Sequence, residues 1–259
     1  MPKFAANLSL MFNEVGFLDR FEAAARAGFR GVEYLFPYEY EKAALSERLE
    51  RHGLTQVLFN LYPGDWPGGE RGLTSLPDRV GEFQDSVAQA VDYARATGCK
   101  LLHALSGIPK DSNKDRVDRT YIDNLKFAAG ELKKHGLRLL IEPINTRDMP
   151  GIHLNRTQQG LDVIDEVGAD NLFLQYDCYH MQIMEGDLAT TIERILPRIG
   201  HVQIAEVPGR HEPGLGEIAY DFIFQHLDRV GYAGWIGCEY RPAGKTADGL
   251  GWFKPYAAR

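Results

Sequence analysis

Cysteine is scarce in this sequence. Cys99, Cys178 and Cys238 are too few for a disulfide framework, and no two stand at CxxC spacing, so a zinc knuckle is not indicated either. Positive charge is also short: 29 Lys and Arg face 36 Asp and Glu, for a net charge of -7. An acidic chain gains little from a phosphate backbone, which argues against nucleic acid as a partner. No apolar run has the length of a membrane span, and residues 1–10 carry one lysine without the apolar stretch of a signal peptide. The default expectation is a cytoplasmic protein without a membrane partner. No GxGxxG follows the first apolar segment, so the dinucleotide-binding fingerprint is missing. Linkers, low-complexity tracts and shifts of composition are absent as well. One domain over 1–259 is expected.

What is present is alternation. Short apolar segments at 4–10, 30–35, 54–60, 100–105, 139–142, 172–177, 201–203 and 235–239 read as strands. Between and after them, helical stretches are expected at 15–27, 39–52, 76–97, 116–135, 157–167, 187–195, 219–230 and 245–256, most of them closed by glycine. Eight such units predict an α/β fold, a single-domain (β/α)8 TIM barrel. Residues 61–76 break the pattern with Tyr-Pro-Gly-Asp-Trp-Pro-Gly-Gly-Glu-Arg-Gly at their centre. A loop of this length in a compact domain is usually a binding loop or a cover.

Four strands end on an oxygen-bearing side chain. Leu139-Leu140-Ile141 runs into Glu142, Leu172 to Tyr176 into Asp177, His201-Val202 into Gln203, and Trp235 to Cys238 into Glu239. Their spacings are close to the roughly 30 residues that a strand and its crossover helix require. In a barrel these four ends meet at one mouth. Three carboxylates would repel one another there unless a cation sat among them or some were protonated. An all-oxygen set suits Mg2+, with Mn2+ as the alternative. Such an ion, facing a keto oxygen and a neighbouring hydroxyl, would stabilise an enediolate, and Glu142 and Glu239 on opposite sides could move the proton. His180, three residues past Asp177, is expected in the loop above the sixth strand, within reach of a substrate oxygen. Arg210 and Arg71 are candidates to grip a substrate carboxylate, and Trp66 is a candidate cover that excludes water. Glu33, His103 and Asn7 are weaker candidates for the barrel mouth, and Cys178 and Cys238 should point outward into core.

These stretches resemble the xylose-isomerase-like TIM barrels, which include the AP-endonuclease-2 type, and within them the hydroxypyruvate isomerase family. The resemblance rests on Ile141-Glu142-Pro143-Ile144-Asn145, on Asp177-Cys178-Tyr179-His180, on Gly237-Cys238-Glu239-Tyr240, and on two narrower loops, Gly64-Asp65-Trp66 and Pro208-Gly209-Arg210-His211-Glu212-Pro213. It runs essentially end to end. It implies interconversion of hydroxypyruvate and 2-hydroxy-3-oxopropanoate (tartronate semialdehyde) without a redox cofactor. It also implies Glu142 and Glu239 as the acid/base pair, and Glu142, Asp177, Gln203 and Glu239 as metal positions. A related subgroup acts on 2-oxo-tetronate. Related ketose 3-epimerases usually carry a histidine where Gln203 stands, which argues against that branch. A nuclease of the apurinic endonuclease kind would need a histidine-rich zinc cluster and a basic face, and neither is visible. The partner expected is a small keto acid; the long helices permit a homo-oligomer without requiring one.

Overall fold

A computed structural model describes residues 2–257. Eight parallel strands close into a barrel in sequence order: β1 (Lys3–Asn7), β2 (Gly31–Glu33), β3 (Thr55–Asn60), β4 (Leu101–His103), β5 (Arg138–Ile141), β6 (Leu172–Asp177), β7 (Ile199–Ile204) and β8 (Trp235–Cys238). Closure is made by β8 on β1, with Phe4 opposite Ile236. The TIM-barrel fold expected from the alternation of strands and helices is the fold observed.

The outer layer contains α1 (Arg20–Arg26), α2 (Lys42–His52), α3 (Val80–Thr97), α4 (Lys114–Lys133), α5 (Thr157–Val167), α6 (Cys178–Met184), α7 (Leu188–Ile195) and α8 (Tyr220–Arg229). Each presents an apolar stripe to the strands. On α3 the stripe is Phe83, Val87, Ala90, Val91 and Ala94, at the spacing that keeps one helical face buried. Helix α4 begins two residues before its sequence-predicted start because the Asn113 side chain accepts from the Arg116 N–H at 3.1 Å and caps the first turn. The last stretch is 3-10 rather than α-helical, over Thr246–Phe253.

Strand alternation decides what faces the barrel axis. On β5, Leu139 and Ile141 join the large cluster between strands and helices, while Leu140 packs with Ala5, Val57 and Leu58 in a separate small cluster. The next residue in that phase is Glu142. On β6, Leu174 and Tyr176 belong to the outer cluster and Gln175 and Asp177 do not; on β7, Val202 and Ile204 belong to it and His201 and Gln203 do not. Cys238, by its strand phase, and Cys178, the first residue of α6, are buried in the outer cluster, and all three cysteines are free. None of the described helices is long and apolar enough to cross a membrane.

Candidate active site

The strand ends converge. Glu142, Asp177, His180 and Glu239 each offer a ligand atom, and these atoms lie within 4.8 Å of one another. All four residues are buried. Taking three carboxylates out of water and setting them side by side disfavours their charged forms. Burial, then the charges of Glu239 and Asp177, holds Glu142 well above the usual carboxylate range. Burial pushes Asp177 up to about 6. It pushes Glu239 up to about 8, with Arg210 pulling the other way.

Several polar atoms at the cluster lack hydrogen-bond partners, among them Glu142 Oε1, Asp177 Oδ2 and His103 Nε2. Unpartnered buried oxygens that lie this close together fit a divalent cation, because a cation satisfies them and cancels their repulsion. The donors are hard oxygens with at most one imidazole, which suits a hard divalent cation.

His180 sits one turn into α6 rather than in a loop. Asp177 is the reason: it ends β6 and its Oδ1 also accepts from the Tyr179 N–H at 2.8 Å, which caps the new helix. The ring is oriented by Asn145, whose backbone N–H donates to Nδ1 at 3.4 Å and whose side-chain amide lies 2.6 Å from the same atom. With Nδ1 accepting, the neutral ring carries its proton on Nε2. Burial, together with Arg210 and His103, keeps the ring's pKa well below its ordinary value, so it stays neutral. The proton-bearing Nε2, 3.5 Å from Asp177 Oδ2, suits donation to a ligand oxygen better than coordination of a metal.

Arg210 reaches the cluster from the loop after β7. Its Nη2 lies 2.6 Å from Glu239 Oε2 and 3.8 Å from Asp177 Oδ2, and its guanidinium stacks on Tyr179 at 4.8 Å. Although burial works against its charge, Glu239, Asp177 and Glu142 raise its pKa above the ordinary value. The backbone there is in the left-handed region, φ 54°, a conformation costly for a non-glycine residue. It is fixed by the Arg210 N–H donating to Glu206 O and the Arg241 N–H donating to Arg210 O. Glu206 in turn accepts from the N–H groups of Gly214 and Ile218, which closes the loop.

A cavity of about 600 Å³ opens above the cluster. Arg71 and Trp66 line it from the long loop, and Arg71 stacks on the Trp66 ring at 4.2 Å while donating to Trp66 O and Glu70 O. Glu70 anchors the loop by pairing with Arg79 and by accepting from the Asp65 N–H at 2.6 Å. Asp177 and Gln203 lie deeper than the cavity wall. The Gln203 amide is held between Glu33 and Gln175. Asp148 was not anticipated from sequence, yet it accepts from the Tyr179 hydroxyl at 2.8 Å and lines the same cavity. Its only sequence signal was its position six residues after Glu142.

Comparison with known proteins agrees with this arrangement. The 2-oxo-tetronate isomerase of Cupriavidus necator is 55% identical over 260 residues, covering 100% of each chain. The hydroxypyruvate isomerase of Escherichia coli is 49% identical over 257 residues, 99% of this chain and 100% of the other. The crystal structure of an AP endonuclease, family 2, from Brucella melitensis matches over 100% of each chain, with TM-score 0.98 and 50% identity. The model of the xylose isomerase-like TIM barrel family matches residues 21–256. A closed eight-stranded barrel with buried carboxylates at its strand ends thus meets its family: the chain belongs to the xylose isomerase-like TIM barrels.

Proposed function

We propose that this protein isomerises small 2-keto-3-hydroxy acids, and that its preferred substrate is the four-carbon 2-oxo-tetronate. The observation that carries the reaction type is the meeting of Glu142 and Glu239 in one buried cluster with Asp177 between them in the chain. Two buried carboxyl groups whose pKa values are both raised above the usual carboxylate range can exchange roles as base and acid. One takes the proton from C3 and the other delivers a proton to C2, while the C3 hydroxyl gives up its proton and the C2 oxygen gains one, so that the keto and hydroxyl groups trade places. A divalent cation held by Glu142, Asp177, Glu239 and the Gln203 oxygen would supply charge to offset the negative oxygen that develops between those steps. His180 Nε2–H donates to a substrate oxygen. Arg210 and Arg71 would grip the C1 carboxylate, and Trp66 would cover it from water.

The sequence reading put hydroxypyruvate first. The four-carbon acid differs only by a hydroxymethyl group on C3, and two observations favour it. The relative named for 2-oxo-tetronate is 55% identical and the one named for hydroxypyruvate 49%. The cavity, at about 600 Å³, leaves ample space above the cluster, with polar Ser9, Asn60 and Asp148 on its wall. A nuclease reading is weaker, since the described ligand cluster holds one histidine and the chain's net charge is -7.

The test compares kcat/KM for 2-oxo-tetronate and hydroxypyruvate with Mg2+ or Mn2+ present. A higher value for 2-oxo-tetronate supports the proposal. A higher value for hydroxypyruvate reverses the substrate order, and inertness toward both removes the isomerase reading.

A further inference from the structure

Beneath the carboxylate cluster lies a second buried polar group that the proposed reaction does not use. Glu33, at the end of β2, is completely buried. Its Oε1 accepts from Gln203 Nε2 at 2.7 Å and from Asn7 Nδ2 at 3.1 Å. Its Oε2 lies 2.7 Å from His201 Nε2. Space for this carboxylate is built into β8: a Cβ on Gly237 would stand 2.4 Å from both Glu33 oxygens.

Gln203 Nε2 donates to Glu33 Oε1, so the edge of the Gln203 amide that faces Glu33 is its NH2 and the amide oxygen faces the other way. There it accepts from Gln175 Nε2 at 2.6 Å. One lone pair of the Gln203 oxygen remains at the floor of the cluster. Were the amide reversed, it would present N–H groups there, and an N–H cannot bind a cation.

We infer that Glu33 is a positioning residue that locks the Gln203 amide with its oxygen, rather than its nitrogen, available to the metal. This rests on the reading of Gln203 as a metal ligand. Groups that orient a ligand from behind commonly change metal affinity by about 10- to 100-fold when altered.

Two conservative substitutions separate this role from a simple charge effect. Glu33→Gln keeps the reach and loses the charge. Asn7 and Gln203 offer only donors to that position, so the new amide turns its oxygen to them and its NH2 to His201. His201 can accept there by moving its proton to Nδ1, which has no hydrogen-bond partner. Glu33→Asp keeps the charge but withdraws it by about 1.5 Å, one carbon–carbon bond, and frees the Gln203 amide to turn.

The experiment is a titration of wild type, E33Q, E33D and Q203L with Mn2+ alone, followed by electron paramagnetic resonance of the free ion, with thermal melts to establish folding. E33D and Q203L are expected to bind Mn2+ about 10- to 100-fold more weakly, and E33Q near the wild-type affinity. Wild-type binding by E33D with weakened binding by E33Q would overturn the inference in favour of charge. Unchanged binding by both, with Q203L weakened, would show that Glu33 does not orient the ligand. Equal losses in both that track a shared fall in melting temperature would assign Glu33 a structural role and overturn the inference as well. Wild-type affinity in Q203L would instead remove Gln203 from the metal site, a failure of the underlying reading rather than of the orientation argument alone.

Discussion

Arg210 Nη2 lies 2.6 Å from Glu239 Oε2, so the cation proposed to grip substrate is also the counter-ion of a glutamate proposed to move protons. Arg210 lowers a Glu239 pKa that burial raises. Arg210→Gln should therefore do two things. It should reduce kcat/KM by about 10²-fold, on the order of the ~3 kcal/mol typical when one partner of a buried charge pair is lost. It should also move the limb of the pH–rate profile that reports Glu239 to higher pH. A variant profile that overlays the wild type would separate Arg210 from Glu239.

The cluster should also make stability depend on pH. Glu239, near 8 in the folded chain against an ordinary 4.5, and Glu142, also raised, bind more protons folded than unfolded. Their contribution is present below the unfolded value and is lost as pH rises toward the folded one. His103 and His180 have depressed values and act in the opposite sense, but only below the ordinary histidine value of 6.5. Between about pH 7 and 8 the glutamates therefore dominate this group. Protein freed of metal with a chelator should show a falling melting temperature across that interval, and saturating Mn2+ should flatten the fall. A melting temperature that is constant or rising over the interval, with chelator present, would contradict the raised carboxylates.

Much of this was legible in the residues. Glu142, Asp177, Gln203 and Glu239 each follow a short apolar strand, and a barrel requires such ends to meet. The helix that carries His180 was not legible, because seven residues, Cys178–Met184, give too few turns for a periodic signal and the cap is itself the site residue Asp177. The Glu33–His201 pair was half legible. His201 stands two residues before Gln203 and must share its inward face, but nothing in the sequence says that Glu33, 168 positions away, is its partner. Asp148 and Tyr179 were missed because their pairing depends on how the loop after β5 folds back over α6.

Gly237 provides a test on stability. It is the one residue of β8 that could leave room for the Glu33 carboxylate, since a methyl group there would overlap both oxygens. Gly237→Ala should lower the unfolding free energy by about 1–3 kcal/mol, the usual range for overpacking, as read by denaturant melts. It should weaken Mn2+ binding too. A variant as stable as wild type would mean that the carboxylate is not fixed where the structure puts it.

The central claim is that Glu142 and Glu239 together carry a proton between neighbouring carbons of one small keto acid. Proton NMR in deuterated water, with 2-oxo-tetronate and Mg2+, reads that transfer directly. Wild type should convert the substrate to its 3-oxo isomer and place deuterium on the reacting carbons whenever the carried proton exchanges with solvent. Glu142→Gln and Glu239→Gln should each slow conversion by about 10²-fold or more, the usual range for a lost acid/base. Wild-type conversion rates in either folded variant would contradict the account, as would the absence of both conversion and exchange in the wild-type protein.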